Sequence, residues 1–306
     1  MKTRHAVALS FVAASLSAAA PHATPAQRSP AAASSCCVVH VTAMDDRNVP
    51  VTDLGAADFV VKEDGKPREV LSVRPATAQL QVVVLVDDNG TGMFRNGLAG
   101  LAELLQERAE LSLRAVTGQV QTIVDYTTDP RAWIAGISKL GVRPPTPEGG
   151  QLLEGVSEAA KQLKLREAPR PVIIALTVGG EEQSTLQARQ VLDQLHASRA
   201  SLHVVFAESP AVRPNLMAAR PADLLEGNLN LGRVIGDGPK QSGGRRQDVL
   251  ATRTVQTAVQ AIARGLLAQF EVTYARVQSG GSPQKLEVSV RRPGLKVIAP
   301  TRAPVR

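Results

Sequence analysis

The chain has 306 residues, a formal net charge of +7, 43% hydrophobic and 3% aromatic residues, and two cysteines. Its length allows one large buried core, and its modest basic excess with so few aromatics excludes the charged, stacking surface that single-stranded nucleic acids require. Cys36 and Cys37 are adjacent and are the only cysteines, so a disulfide framework is excluded too.

The N-terminus reads as a secretory signal peptide over 1–19. Lys2 and Arg4 precede an uncharged run from Ala6 to Ala20, at about 15 residues too short to cross a bilayer core of ~30 Å. Ser17-Ala18-Ala19 places small residues for cleavage after Ala19. No later stretch has the length and apolarity of a membrane span. The mature chain is therefore expected to be exported, periplasmic or secreted, with no integral membrane segment. Residues 20–35 are mostly Ala, Pro and Ser and are read as a disordered linker, because they offer little to bury.

Residues 36–75 form a predicted β-rich leader. CVVHVTAM is β-prone, Asp45 to Asn48 is a turn by composition, and Glu63-Asp64-Gly65-Lys66 separates two apolar stretches as a hairpin turn would. The main domain is placed at 78–275. It opens on QVVVLV (81–86), whose unbroken apolarity marks a strand buried on both faces. A helix follows, with Leu98, Leu101, Ala102 and Leu105 on one face. Two strands lie at 111–116 and 120–126. Asp129-Pro130 is a helix start, with Asp129 as cap and Pro130 at the first helical position. Further helices are expected at 150–163 and 185–198, and strands at 171–176 and 202–206. Residues 208–247 lose periodicity and carry Gly236, Gly238, Gly243 and Gly244, so they are read as a flexible insertion. Val255, Val259, Ile262 and Leu266 mark a last helix. Residues 276–306 hold a predicted C-terminal β pair, KLEVSVRR and LKVIAP, and a tail. This order of apolar strands and amphipathic helices predicts an α/β three-layer sandwich.

At the end of the first central strand stands Asp87-Asp88-Asn89-Gly90-Thr91-Gly92-Met93. It resembles the Asp-x-Ser-x-Ser metal-ion-dependent adhesion site of von Willebrand factor A (VWFA) domains. Asp87 takes the place of the family's aspartate, and Asn89 and Thr91 replace its two serines. Such a site suits Mg²⁺, a hard cation that takes oxygen ligands in near-octahedral geometry. The family's loop threonine falls at Gln151 here, with Thr146 nearby but out of register. Its last aspartate, in a Thr-Asp-Gly pattern, is Val178 in Thr177-Val178-Gly179. Glu181 and Glu182 lie just beyond. The site therefore resembles a degenerate one. The competing reading is a metal-free turn in which Asp87 and Thr91 bond the loop or cap its helix.

The leader strengthens the resemblance. Pro50, Val51, Leu54, Asp58, Phe59, Val61, Glu63, Asp64 and Gly65 match the β segment that precedes the A domain in exported VWFA-related proteins of acidobacterial type. The C-terminal FEVTYA and KLEVSVRRPGLKV resemble that group's terminal strands. The resemblance implies a Rossmann-like A domain with a mostly parallel central sheet and one antiparallel edge strand.

No enzymatic constellation assembles from the residues. His5, His22, His40, His196 and His203 form no metal or nucleophile pattern, and H-E-x-x-H, Cys-x-x-Cys and G-x-S-x-G are absent. The expectation is a non-catalytic module that binds a protein partner, not nucleic acid, at the C-terminal edge of its sheet. Asp88, Met93, Gln151 and Val178 form the candidate surface. Asp87, Asn89 and Thr91, with Thr146 and Glu181 as further donors, form the candidate metal set. No cofactor is expected, with Mg²⁺ alone left open. The alternative is a structural or assembly component of an envelope complex acting through its β segments.

Overall fold

The computed structural model describes residues 34–140, 149–207, 222–250, 252–277 and 284–305. The predicted signal peptide, most of the linker and Thr146 lie outside these described residues.

At the centre is β5 (Leu80–Asp87), the QVVVLV strand. Side chains alternate across a strand with a period of two, and both halves of the alternation are apolar. Leu80, Val82, Val84 and Val86 enter one core, whereas Val83 and Leu85 enter the other. Around β5 lie β6 (Ala109–Thr117), β7 (Gln119–Thr127), β8 (Arg170–Thr177), β9 (Ser201–Ala207) and β10 (Arg246–Val249) in the order β10-β9-β8-β5-β6-β7. All neighbours are parallel except β6 and β7. The mostly parallel sheet with one antiparallel edge strand is thus present as expected.

Helices α1 (Arg95–Leu105), α2 (Pro130–Lys139) and α6 (Thr252–Leu267) cover the first face, and α3 (Leu152–Leu165), α4 (Ala188–Ser198) and α5 (Ala222–Ser242) the second. Asp129 caps α2 as its sequence suggested, accepting the Arg131 N–H at 2.8 Å.

Two expectations need correction. Within the stretch read as a flexible insertion, residues 222–242 form α5 and 246–249 form β10, the outer strand of the sheet. Gly238, Gly243 and Gly244 stand where a side chain would collide with neighbouring elements, whereas Gly236 has open space around it. A Cβ at Gly238 would lie 2.8 Å from the Leu202 side chain, so the missing side chain lets α5 settle onto β9. Residues 208–221 lie outside the described residues.

The leader and the C-terminal segments also do not form separate units. β1 (Ser34–Met44) pairs with β11 (Phe270–Val277) and β13 (Lys296–Ile298), and β4 (Val70–Pro75) pairs with the other side of β11. β2 (Phe59–Glu63) lies between β3 (Lys66–Arg68) and β12 (Leu286–Val290). The terminal "pair" β12 and β13 therefore belongs to two different sheets. β11, assigned to the main domain by its sequence position, sits in the leader's sheet. Leader and tail share a third core that includes Val41, Phe59, Phe270 and Val272. Asp64 and Gly65, both at positive φ (47° and 76°), make the tight turn between β2 and β3. This is the backbone sense that matches strand twist in a two-residue hairpin.

Candidate functional site

From β5 the chain proceeds through α1 to β6 on one side, and later returns to β8 on the other. The order reverses between β5 and β8, and ligands of open α/β sheets bind beyond the carboxyl ends of strands at such a point. Asp87 and Thr177 are in register there. The Thr177 hydroxyl donates to Oδ2 of Asp87 at 2.7 Å, and the Val178 N–H donates to the Asp87 carbonyl at 3.0 Å.

The loop after Asp87 is organised by its neighbour. Asp88 accepts from the N–H groups of Gly90 (2.9 Å) and Gly92 (2.7 Å). Asn89 adopts a left-handed φ of 48°, which asparagine tolerates better than most residues. Thr91 Oγ1 accepts from the Met93 N–H at 3.4 Å. The metal-free turn reading anticipated this kind of bonding for Thr91, but assigned to Asp87 the loop contacts that Asp88 makes.

Opposite this loop, Gly149 and Gly150 lie against residues 181–182. The Gly150 N–H donates to the Glu181 carbonyl, and the Gln183 N–H to the Gly150 carbonyl, both at 2.9 Å. Side chains would block this approach. A Cβ at Gly149 would meet the Glu181 carbonyl oxygen at 1.9 Å, and one at Gly150 would lie 3.0 Å from Oδ1 of Asp87. The Gly pair thus closes the strand ends over Asp87.

Glu182 is the site residue the sequence left undecided beside Glu181. It is 1% exposed, and its carboxylate accepts from the N–H of Leu152, the first residue of α3, at 3.0 Å. It also accepts from the Ser184 N–H at 3.2 Å. An acceptor here satisfies one of a helix's orphan N–H groups. Burial pushes the Glu182 carboxyl up to about 8, with the charge of Asp87 adding and the Leu152 N–H opposing. Asp87, 8% exposed, is likewise pushed up to about 7 by burial, opposed by the Thr177 hydrogen bond and reinforced by Asp88.

The structure divides the predicted site residues. Asp87, Asn89, Thr91, Gln151 and Glu181 stand around the strand ends, with Asn89, Thr91, Gln151 and Glu181 partly exposed. Val178 is 4% exposed and joins the core that α1 and α6 cover. Asp88 is buried in its own loop. Neither offers the contact surface expected of it, because each side chain is already used for packing or for holding the turn. Met93 is half-buried and packs against the same core as Val178.

Among the described residues the arrangement does not fit a cation site. Asp87 is engaged by Thr177, Asp88 by the loop and Glu182 by α3, and Val178 has no donor. Among the described residues no three His, Cys, Asp or Glu side chains come together as metal ligands. What the edge does present is apolar. Leu225 and Leu229, one turn apart on α5, are 54% and 58% exposed, and Leu250, directly after β10, is 80% exposed. The first turns of α5 belong to this edge, since Asn228 accepts the Glu182 N–H and Glu226 accepts from Gln187. No sequence signal could have found these leucines while the segment read as a loop.

No family profile matches the sequence, and no curated protein does. Solved structures of similar shape include a von Willebrand factor type A protein from Catenulispora acidiphila, at 9% identity and TM-score 0.46, spanning 90% of this chain and 75% of that one. The conserved hypothetical protein BatB from Bacteroides thetaiotaomicron is 15% identical, with TM-score 0.43, over 61% of this chain and 98% of the other. Proximal thread matrix protein 1 of the mussel byssus, with a zinc-occupied metal-ion-dependent adhesion site, is 9% identical with TM-score 0.44, over 69% and 50%. At these identities the likeness concerns the fold alone.

Proposed function

We propose that this chain is an exported, non-catalytic protein-interaction module of VWFA-related type. It engages a protein partner at the C-terminal edge of its central sheet, with weak or no dependence on divalent metal. The observation that carries this reading is the pairing of a closed carboxyl site with an open apolar one. Asp87 and Glu182 are buried and internally bonded, while Leu225, Leu229 and Leu250 stand in solvent at the same edge. Leu225 and Leu229 neighbour each other on one helix face, and adjoining exposed apolar side chains of this kind suit an interaction surface. Export rests on the N-terminal sequence, and no described helix is long and apolar enough to cross a membrane.

The alternative, assembly through β segments, draws less support. Most leader and tail strands are already paired with one another. Of the four outer strands β3, β4, β12 and β13, β3 and β4 carry Lys66, Arg68, Arg74 and Pro75, residues that discourage edge-to-edge addition.

The test is retention of periplasmic and culture-medium proteins on the immobilised chain, with EDTA or with Mg²⁺. Wild type and Asp87→Asn should retain the same proteins in both buffers, and a Leu225→Asp/Leu229→Asp variant should lose them. Loss in EDTA would overturn metal independence. Undiminished retention by the leucine variant would move the contact surface elsewhere.

A further inference from the structure

A cavity of about 410 Å³ opens at the opposite end of the sheet, where β8 and β9 begin and where β1 and the C-terminal tail pass over them. This is within the range of small-molecule sites, roughly 300–1,000 Å³. Its walls are mainly apolar, with Val38 and Val39 of β1, Leu192 and Leu195 of α4, and Pro300 and Pro304 of the tail.

Its polar groups are unevenly charged. Arg170, Arg199 and Arg302 line it, against the single carboxylate of Glu271. Glu271 is itself bonded by Arg74. Arg302 reaches Asp193 at 3.1 Å, outside the lining, and Arg199 donates to the Val305 carbonyl at 2.7 Å. Arg170 is buried. Its two terminal nitrogens donate to the carbonyls of Ala76, Ala78 and Leu266 and to Gln269, and its Nε has no partner. The His40 ring, also in the wall, has no hydrogen-bond partner among the described residues. Burial and then the charge of Arg170 push it down to about 4, so at neutral pH it is uncharged and able to donate or accept.

The tail is held as a fixed wall. His196 Nε2 lies 2.7 Å from the Ala303 carbonyl, and Arg276 donates to the Pro304 carbonyl at 2.9 Å. The cavity is therefore framed by rigid elements of both parts of the fold.

We infer that this cavity binds a small amphipathic carboxylate, with the apolar body against Val38, Leu192 and Leu195 and the head group toward Arg199 and Arg302. Apolar walls supply affinity for the body, and the excess of guanidinium groups selects the anionic head, since Arg is suited to carboxylates. This site is distant from the proposed partner edge and does not depend on it.

The test is isothermal titration of the full chain with decanoate and, separately, with decanol. One saturable decanoate site is expected. Arg199→Asn, whose side chain suits the left-handed φ of 58° at that position, should weaken decanoate about tenfold, as loss of a charge-assisted bond does, and leave decanol unchanged. Val38→Trp, at the half-exposed mouth, should abolish binding of both. No saturable binding to the wild type overturns the inference, as does decanoate binding that Val38→Trp leaves intact. Equal loss of decanol and decanoate in Arg199→Asn would overturn the assignment of the anionic head.

Discussion

Thr177 donates its hydroxyl to Asp87 across 2.7 Å from the neighbouring parallel strand, and both residues are buried at the strand ends. This short bridge uses an oxygen of the carboxylate that a cation would need, and burial holds the Asp87 proton up to about pH 7.

A stability consequence follows. An unfolded aspartate releases its proton near 3.8, whereas folded Asp87 keeps it to about 7. The folded state binds more protons between these values, so this contribution is fully present below about pH 4 and is lost as pH rises through 7. Asp87→Asn keeps an acceptor for Thr177 and removes the titration. Its stability relative to wild type should therefore improve between pH 5 and pH 8, by an amount on the order of a few kcal/mol. Urea midpoints of both proteins at pH 5, 6.5 and 8 measure this. A difference that stays constant with pH would mean that Asp87 is ionised throughout.

Glu63 is fully buried and accepts from Tyr274 (2.8 Å), Arg276 (2.7 Å) and Arg68 (3.1 Å), so the end of β2 is fixed to β11 more than 200 residues later. Removing one partner of a buried ion pair strands the other charge and costs roughly 3–5 kcal/mol. Glu63→Ala should lower stability by about that much. Adding Arg276→Met should recover part of the loss, because the fully buried guanidinium that Glu63→Ala leaves unpaired is then gone. Thermal unfolding of the single and double variants decides it. A double variant no more stable than Glu63→Ala would show that the carboxylate acts through Tyr274 or Arg68.

Much of this architecture is legible in the sequence because it is local. β5 and β8 announce themselves as short continuous apolar runs, and α2 by Asp129-Pro130, since periodicity and capping act within a few residues. The pairing of β1 with β11 and of β2 with β12 is not local, and no feature of Cys37 to Met44 names its partner strand. α5 was hidden for a different reason. Gly236 and Gly238 read as breakers, whereas packing against Leu202 makes at least Gly238 an asset. At the site, Asp87, Thr91 and the missing oxygen at Val178 can be read directly. That Glu182 turns inward while Glu181 remains partly exposed depends on how Gly149 and Gly150 approach the loop, which is a tertiary fact.

His203 lies on β9 on the same side as Val205 and Ala207, toward the core that α6 covers. Neither ring nitrogen has a partner. Burial, with the charge of Arg245 adding, pushes the ring down to about 3. An unfolded histidine takes a proton near 6.5, and folded His203 does so only near 3, so its contribution is intact above 6.5 and is lost as pH falls toward 3. An unsatisfied buried polar group also costs about 1–3 kcal/mol at any pH. His203→Leu removes both penalties and should stabilise the chain by about that amount at pH 7.5, with a larger gain at pH 5. Denaturant midpoints at the two pH values give the answer. A variant less stable than wild type at both would show that the ring makes a bond in solution, and that His203 is retained as part of a buried polar contact with Arg245 or its loop.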